Sequence, residues 1–418
     1  MSKRSLFEIQ QEIIAQVKPI KILENISWPA ETEKAFFSEF QKGNRPILKV
    51  DYPKSDFHSE EEILTKLKKE LSIEHPVHVY ISETIDSYIN AIRMIHAVGT
   101  KEFETLSLSE YGSPHHKLFG SKYSHLETAK SILQVYHQFD HPTLADNSKT
   151  YSATELKKYL VRKSKTILGE QSPKIILSKK LTAKAAAGKS RVRIRSNAEF
   201  SKYDFDQLLI HEIMTHSLTA INGSLQREMP LLAQGAPRTS KTQEGLATFS
   251  EVITGSMDLV RLKRISLRLM AIDMALKGAD FYDLFDFFRS HEQDDRESYL
   301  SASRILRGGT PAGGICFTKD GIYLEGLIRV HSFFRWAFKS RNLDLTHYLF
   351  AGRFDINDIF LLKNDFASGF LTPPVYLPEW YQNIDQLAGK MAFSLVLNGI
   401  DLESVERHYA SKLLKMAA

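Results

Sequence analysis

The stretch DFDQLLIHEIMTHSLTAING (204–223) constrains this chain more than any other, because two histidines, His211 and His216, flank Glu212 in an otherwise apolar helical segment. Neutral imidazoles are good zinc ligands, and a carboxylate beside the first of them can act on water at a metal. The familiar spacing for such chemistry, H-E-x-x-H, puts both histidines on one face of a helix. Here the spacing is one residue longer. Five steps of a regular α-helix leave two side chains about 140° apart, too far round the axis to share an ion. Either a π-type turn widens the helix and brings them together, or the helix distorts or ends near Thr215. Two histidines in six residues are also ordinary helix composition, so the pair alone leaves open whether a metal is involved.

A second acidic motif follows some thirty residues on. In TQEGLATFSE (242–251), Glu244 opens an apolar helical pattern that includes Leu246, Phe249 and Val252. A carboxylate on the next helix is the usual way to complete a His-His-Glu site with an open fourth position. Glu251 lies seven residues later on the same face. It is either a rival third ligand, a partner that orients a histidine, or a capping or surface acid.

Composition narrows the class. The chain has 418 residues, 43% hydrophobic and 25% charged, which are globular proportions. No apolar run approaches the roughly 20 residues of a membrane helix, and the first thirty residues lack a signal-peptide core. The one cysteine, Cys316, cannot form an internal disulfide, which points to a cytoplasmic protein. Net charge is only +5 but unevenly spread: thirteen Lys and Arg lie between Lys157 and Arg195 against one acid, Glu170. Such an excess attracts an acidic partner, or else is a solvated face protecting a sheet edge. No nucleic-acid-binding signature accompanies it, and no nucleic-acid partner is expected.

Periodicity predicts one or two amphipathic helices in residues 1–45, and further helices at 59–72, 83–98 and 125–139. LSEYGSPHH (108–116) reads as a turn. A basic helix over 152–165 leads to two strands, KIILS (174–178) and SRVRIRS (190–196), joined by an Ala-rich loop. Beyond residue 204 the chain reads as mostly helical. His115, His116 and His331 are not expected to bind metal, and Trp336 and the Phe-rich run 281–288 read as core. The division predicted is a helical N-terminal region (1–150), a catalytic domain (151–365) and a C-terminal helical extension packing on it (366–418).

The chain resembles the QEGLA-motif metallopeptidases, which include the microtubule-associated tyrosine carboxypeptidases and bacterial flavohaemoglobin expression-modulating proteins. The resemblance is carried by HEIMTH with SLTAING, by QEGLATFSE, by SRVRIRSNAEFSKYD before them and by GGICFTKDGIYLEGL after them, and spans about residues 45–365. It implies zinc on His211, His216 and Glu244, with Glu212 as general base. It also implies a mainly helical α+β, zincin-like fold with a small sheet beside the HExxxH helix. The expected activity is zinc-dependent peptide hydrolysis, removing a C-terminal and perhaps-aromatic class of residue from acidic protein tails; a non-catalytic regulator retaining the metal site is the alternative. Met214 stands where many relatives have Gly, which would alter the cleft wall.

Within RGGTPAGGICFTKDGIYLEG (307–326), four glycines suit a main chain approaching a substrate. Lys319 and Tyr323 could then stabilise an oxyanion; alternatively Asp320 caps a helix, Lys319 is solvated and Tyr323 packs in the core. The resemblance, which includes FTKD and the Tyr, favours lining the site. Arg191, Arg193 and Arg195 alternate on one strand, and Arg304 and Arg307 precede the glycine turn. Arginines of this kind suit a terminal carboxylate, or else form a solvated sheet face.

Overall fold

The computed structural model describes residues 4–139, 150–179, 181, 183–397 and 399–417. Lys180 of the basic run, and residues 140–149 at the end of the expected N-terminal region, lie outside the described residues. The described chain is mainly helical with two small sheets.

The N-terminal 45 residues form three helices, Leu6–Val17, Ile22–Ile26 and Ala30–Phe40. Ser5 and Glu8 cap the first in a reciprocal box, and its Ile9, Ile13 and Val17 are buried. The helix expected at 83–98 begins earlier, at Pro76, whose fixed backbone angle suits a first turn. Residues 108–111 of the expected turn instead finish a helix, Lys101–Tyr111, which stops at Gly112 (φ 89°). The 125–139 expectation corresponds to His125–Phe139.

The basic helix runs Ala153–Leu168 behind a capping box of Ser152 and Glu155. Strand Lys174–Ser178 pairs in parallel with Arg191–Arg195. The Ala-rich loop expected between them contains a third strand, Ala185–Ala187, antiparallel to Arg191–Arg195. Its outer edge is unpaired among the described strands. A two-stranded sheet joins Tyr151–Ser152 to Glu199–Phe200.

The largest hydrophobic cluster runs from Ile9 to Met391 and includes Ile213, Met214, Phe249 and Phe334. A second gathers Trp28, Phe36, Phe281, Phe285 and Tyr299, so the Phe-rich run is core. Trp336 is not: 41% of it is exposed, where it stacks on Phe333 and meets Phe360. His331 packs edge-on to Phe249.

Two helices carry the chemistry behind close backbone contacts. The QEGLA helix, Ser240–Thr254, crosses helix Ile322–Ser340 where Gly245 meets Gly326. A Cβ at Gly245 would lie 2.4 Å from the Gly326 carbonyl oxygen, which explains the glycine inside the motif. The glycine turn is likewise occupied by the protein itself. A Cβ at Gly308 (φ +68°) would strike the Phe103 ring, so packing, rather than a substrate approach, explains this glycine.

Among the described residues no helix is long and apolar enough to cross a membrane.

Candidate metal centre

The helix that carries the two histidines starts conventionally at Lys202–Leu208, capped by Ser201 with Asp204. Over Leu209–Ser217 it widens into a π-helix, then resumes as Leu218–Ser224. Thr215 Oγ1 donates to the Ile210 carbonyl, 3.0 Å away and five residues back, supporting the wide turn from within. The extra residue therefore brings the histidines together, and the helix neither breaks nor ends at Thr215.

His211 and His216 cross edge to face, with centroids 4.9 Å apart. Both Nε2 atoms converge on Glu244 Oε2, at 3.3 and 3.5 Å. His211, His216 and Glu244 thus form a group that could hold a metal ion, with one ligand atom each and all three within 4.8 Å of one another. Glu244 Oε2 is buried and accepts no hydrogen bond. An unsatisfied buried carboxylate oxygen facing two imidazole nitrogens is costly unless a cation joins them, so these residues fit a metal.

Glu251 lies outside this group of ligand atoms. It is fully buried and accepts from His211 Nδ1 at 2.6 Å. Gln207 donates to it at 2.9 Å and Arg261 at 3.1 and 3.2 Å. A carboxylate on the far nitrogen fixes the imidazole ring and leaves Nε2 free to ligate. The electrostatics agree. Burial opposes the Glu251 charge, yet Arg261 and His211 bring its pKa down to about 2. Burial also opposes charge on Glu244, but Lys319 and the two histidines hold it well below the usual carboxylate range. Burial likewise opposes a proton on His211, while Glu244 and Glu251 push its pKa well up. The surroundings therefore favour positive charge at this point, whether a proton or a metal ion carries it.

A groove of about 1020 Å³ opens over the cluster. Glu212, His211 and His216 line it on one side and the Ala185–Ala187 strand on another. Lys319 donates to Glu244 Oε1 at 3.3 Å, and that carboxylate raises its pKa against the opposing effect of burial. The Tyr323 ring lies nearly parallel to His211 with centroids 6.4 Å apart, and its hydroxyl accepts from Arg304 at 3.4 Å. Asp320 caps no helix; it pairs with both nitrogens of the Arg304 fork.

The strand arginines separate. Arg191 is exposed and lines no part of the groove, Arg193 is exposed and does, and Arg195 is buried on Glu297 at 2.6 Å. Arg304 and the buried Arg307 also line the groove. Met214 faces away from it, towards a separate cavity with Trp380 and Leu387, so the exchange with Gly does not alter the cleft wall. His115 pairs with Asp273 at 3.0 Å.

Two residues escaped the sequence reading. Arg353 lines the groove and donates to the His216 carbonyl at 3.2 Å, against Gly235, where a Cβ would collide with its guanidinium. Gln243, beside Glu244, accepts from Thr219 at 2.8 Å and also lines the groove. The Q of QEGLA was the available signal for Gln243; Arg353 had only its place in LFAGRFD.

Fold and site together describe a helical protein with a largely buried His-His-Glu metal-binding cluster at the floor of a groove. Residues 34–399 match the family model described as "Microtubule-associated tyrosine carboxypeptidase", and the chain belongs to that family. The match reaches further at both ends than the motifs alone. "Microtubule-associated tyrosine carboxypeptidase 1" of Mus musculus is 31% identical over 133 residues, and that of Homo sapiens 30% over 133. Those stretches cover 31% of this chain and 28% of each relative, so the match spans less than a third of the relatives' length.

Proposed function

We propose that this protein is a zinc metallocarboxypeptidase acting on the C-terminal tails of acidic proteins. The carrying observation is the convergence of His211, His216 and Glu244 beneath a groove that Glu212 also lines. Two imidazoles and a carboxylate are a donor set that suits zinc and leaves a coordination position open. Zinc held there would supply Lewis-acid polarisation of the scissile carbonyl and a water of lowered pKa.

The chain's own residues do the rest. Glu212 takes the proton from the attacking water and passes it to the leaving amine. Lys319 and Tyr323 present an ammonium and a hydroxyl to the negative charge that develops on the carbonyl oxygen. The free edge of Ala185–Ala187 pairs with the extended main chain of the substrate. Arg193, Arg195 and Arg307 give that wall a positive field for the terminal carboxylate, while exposed Arg191 contributes only to long-range steering. Residues 151–365 form the catalytic domain, with the N-terminal region and the C-terminal extension packed on it, in the cytoplasm. The relatives' name specifies tyrosine as the residue removed; what this chain removes is taken up below.

The test is peptide release by protein of measured zinc content, with and without chelator, on matched peptides with free and amidated C-termini. Chelator-sensitive cleavage of the free forms alone is expected, stronger with acidic residues upstream and weaker as salt rises. Equal cleavage of amidated peptides would exclude the carboxypeptidase, and a zinc-free, inactive folded protein would favour the regulator.

A further inference from the structure

Next to the metal centre lies a smaller chamber of about 120 Å³ that shares His211, Glu212, Arg304, Arg307 and Tyr323 with the groove. Its far wall is helix Leu259–Leu276, which points Arg261, Arg264 and Arg268 into it at helical spacing. Arg195 completes the lining from the strand.

The acids here are shared. Asp320 is held by both nitrogens of the Arg304 fork, and Arg268 reaches the same carboxylate only at 3.7 Å. Glu297 binds Arg195 and also faces Arg264. Glu251 is committed to Arg261 and His211. Arg268 is the exposed difference in this account. Its side chain is only 13% accessible, and its Nε is buried without a hydrogen-bond partner among the described residues. Burial and the neighbouring Arg304 push its pKa down to about 9, and the same two causes push Arg307 down to about 10. A buried guanidinium with an idle donor is expensive unless an anion arrives to meet it.

We infer that this chamber receives a carboxylate side chain in addition to the substrate's terminal carboxylate, with Arg268 as its anchor, so that the residue removed is acidic. This rests on the carboxypeptidase reading for its place in a reaction, though not for binding. One terminal carboxylate satisfies a single bidentate arginine. The chamber offers Arg268 and Arg307 around Arg304, and a second anion uses donors that a neutral side chain would leave desolvated. An aromatic ring brings no acceptor. Its one compensation, a cation–π contact, is already supplied by Tyr323, whose ring centre lies 5.9 Å from Arg261 and Arg268 and 6.0 Å from Arg304.

Calorimetric titration of the full-length, zinc-loaded protein tests this with glutarate, 3-phenylpropionate, chloride and inorganic phosphate as probes. Glutarate should bind at least about tenfold more tightly than 3-phenylpropionate, since one charged hydrogen-bonded pair is worth roughly that factor or more. Arg268→Gln should weaken glutarate by about 10- to 100-fold, leave 3-phenylpropionate nearly unchanged, and be partly rescued by Arg268→Lys. Wild-type binding of 3-phenylpropionate as tight as glutarate overturns the inference without any variant. Phosphate or chloride matching glutarate in an Arg268-dependent way overturns it too, in favour of an inorganic-anion site. Peptides ending in Glu and Tyr then separate the two readings. Preferred release of Glu supports both. Release of Tyr at an equal or higher rate overturns the acidic choice and leaves the peptidase. Arg268-dependent glutarate binding with no cleavage of either peptide supports the chamber and sinks the peptidase.

Discussion

Two clusters in this molecule hold the same ligand types within the same reach: His211, His216 and Glu244, and Asp56, His58 and His96. Their surroundings differ in every respect that matters for a metal. In the first, the rings cross at 83° and both Nε2 atoms aim at one buried oxygen. In the second, the rings of His58 and His96 lie flat on each other, 4.4 Å apart and 16° from parallel. Asp56 already engages His58 Nδ1 at 2.5 Å, and His96 Nε2 accepts from the Phe57 amide at 3.2 Å. Asp56 and His58 are exposed, and none of the outer partners that Glu251 supplies to His211 is printed on either ring. Ligand identity and proximity are thus not sufficient. Convergent nitrogens, an unsatisfied oxygen and a fixed far side of the ring separate a metal centre from a surface pairing.

The contrast can be broken in order of effect. Glu212→Gln should cut peptide release by about 10²- to 10⁴-fold while elemental analysis still finds zinc; near-native turnover would remove Glu212 from the chemistry. Glu244→Ala should drop zinc to background after dialysis, because a buried centre loses its third ligand. Zinc retained by Glu244→Ala but lost from Glu251→Ala would reverse the two acids. Glu251→Ala itself should weaken zinc by about 10- to 100-fold, as for other partners of ligating histidines, measured by competition with a chromophoric chelator. The smallest effect belongs to the second cluster. His96→Ala should leave zinc affinity and stability within about twofold, as exposed changes generally do, and a larger loss of metal would make the exposed cluster the real site.

Legibility followed locality. His211, Glu212 and His216 sit within six residues, and the only puzzle, their spacing, had a known helical remedy. Glu244 announced itself because its helix also carried an apolar pattern. The arginine chamber was not legible. Arg261, Arg264 and Arg268 occur in VRLKRISLRL, which reads as any basic helix face, and only tertiary packing turns them towards Arg304 and Arg195. The Ala185–Ala187 strand was hidden because alanine has low strand propensity, and its pairing with Arg191–Arg195 fixes it instead. The glycine turn was misread for a related reason: what crowds Gly308 is Phe103, about two hundred residues earlier.

The π-turn at Leu209–Ser217 amounts to a single added residue, and its consequence is one of phase. Removing one residue between Glu212 and His216 would restore a regular helix and the shorter histidine spacing, so the ligands themselves would tolerate the deletion. Everything downstream would not. The following turn would rotate by about 100° about the helix axis. Ser217 would swing off the Gly188 carbonyl that it holds at 3.0 Å, and Thr219 off Gln243. Asn222, which ties the Phe350 and Tyr376 carbonyls at 2.8 Å each, would face elsewhere. The added residue works as a clutch plate set between two halves of one helix: it lets the first half serve the metal and the second serve the core, and neither can be re-timed without the other.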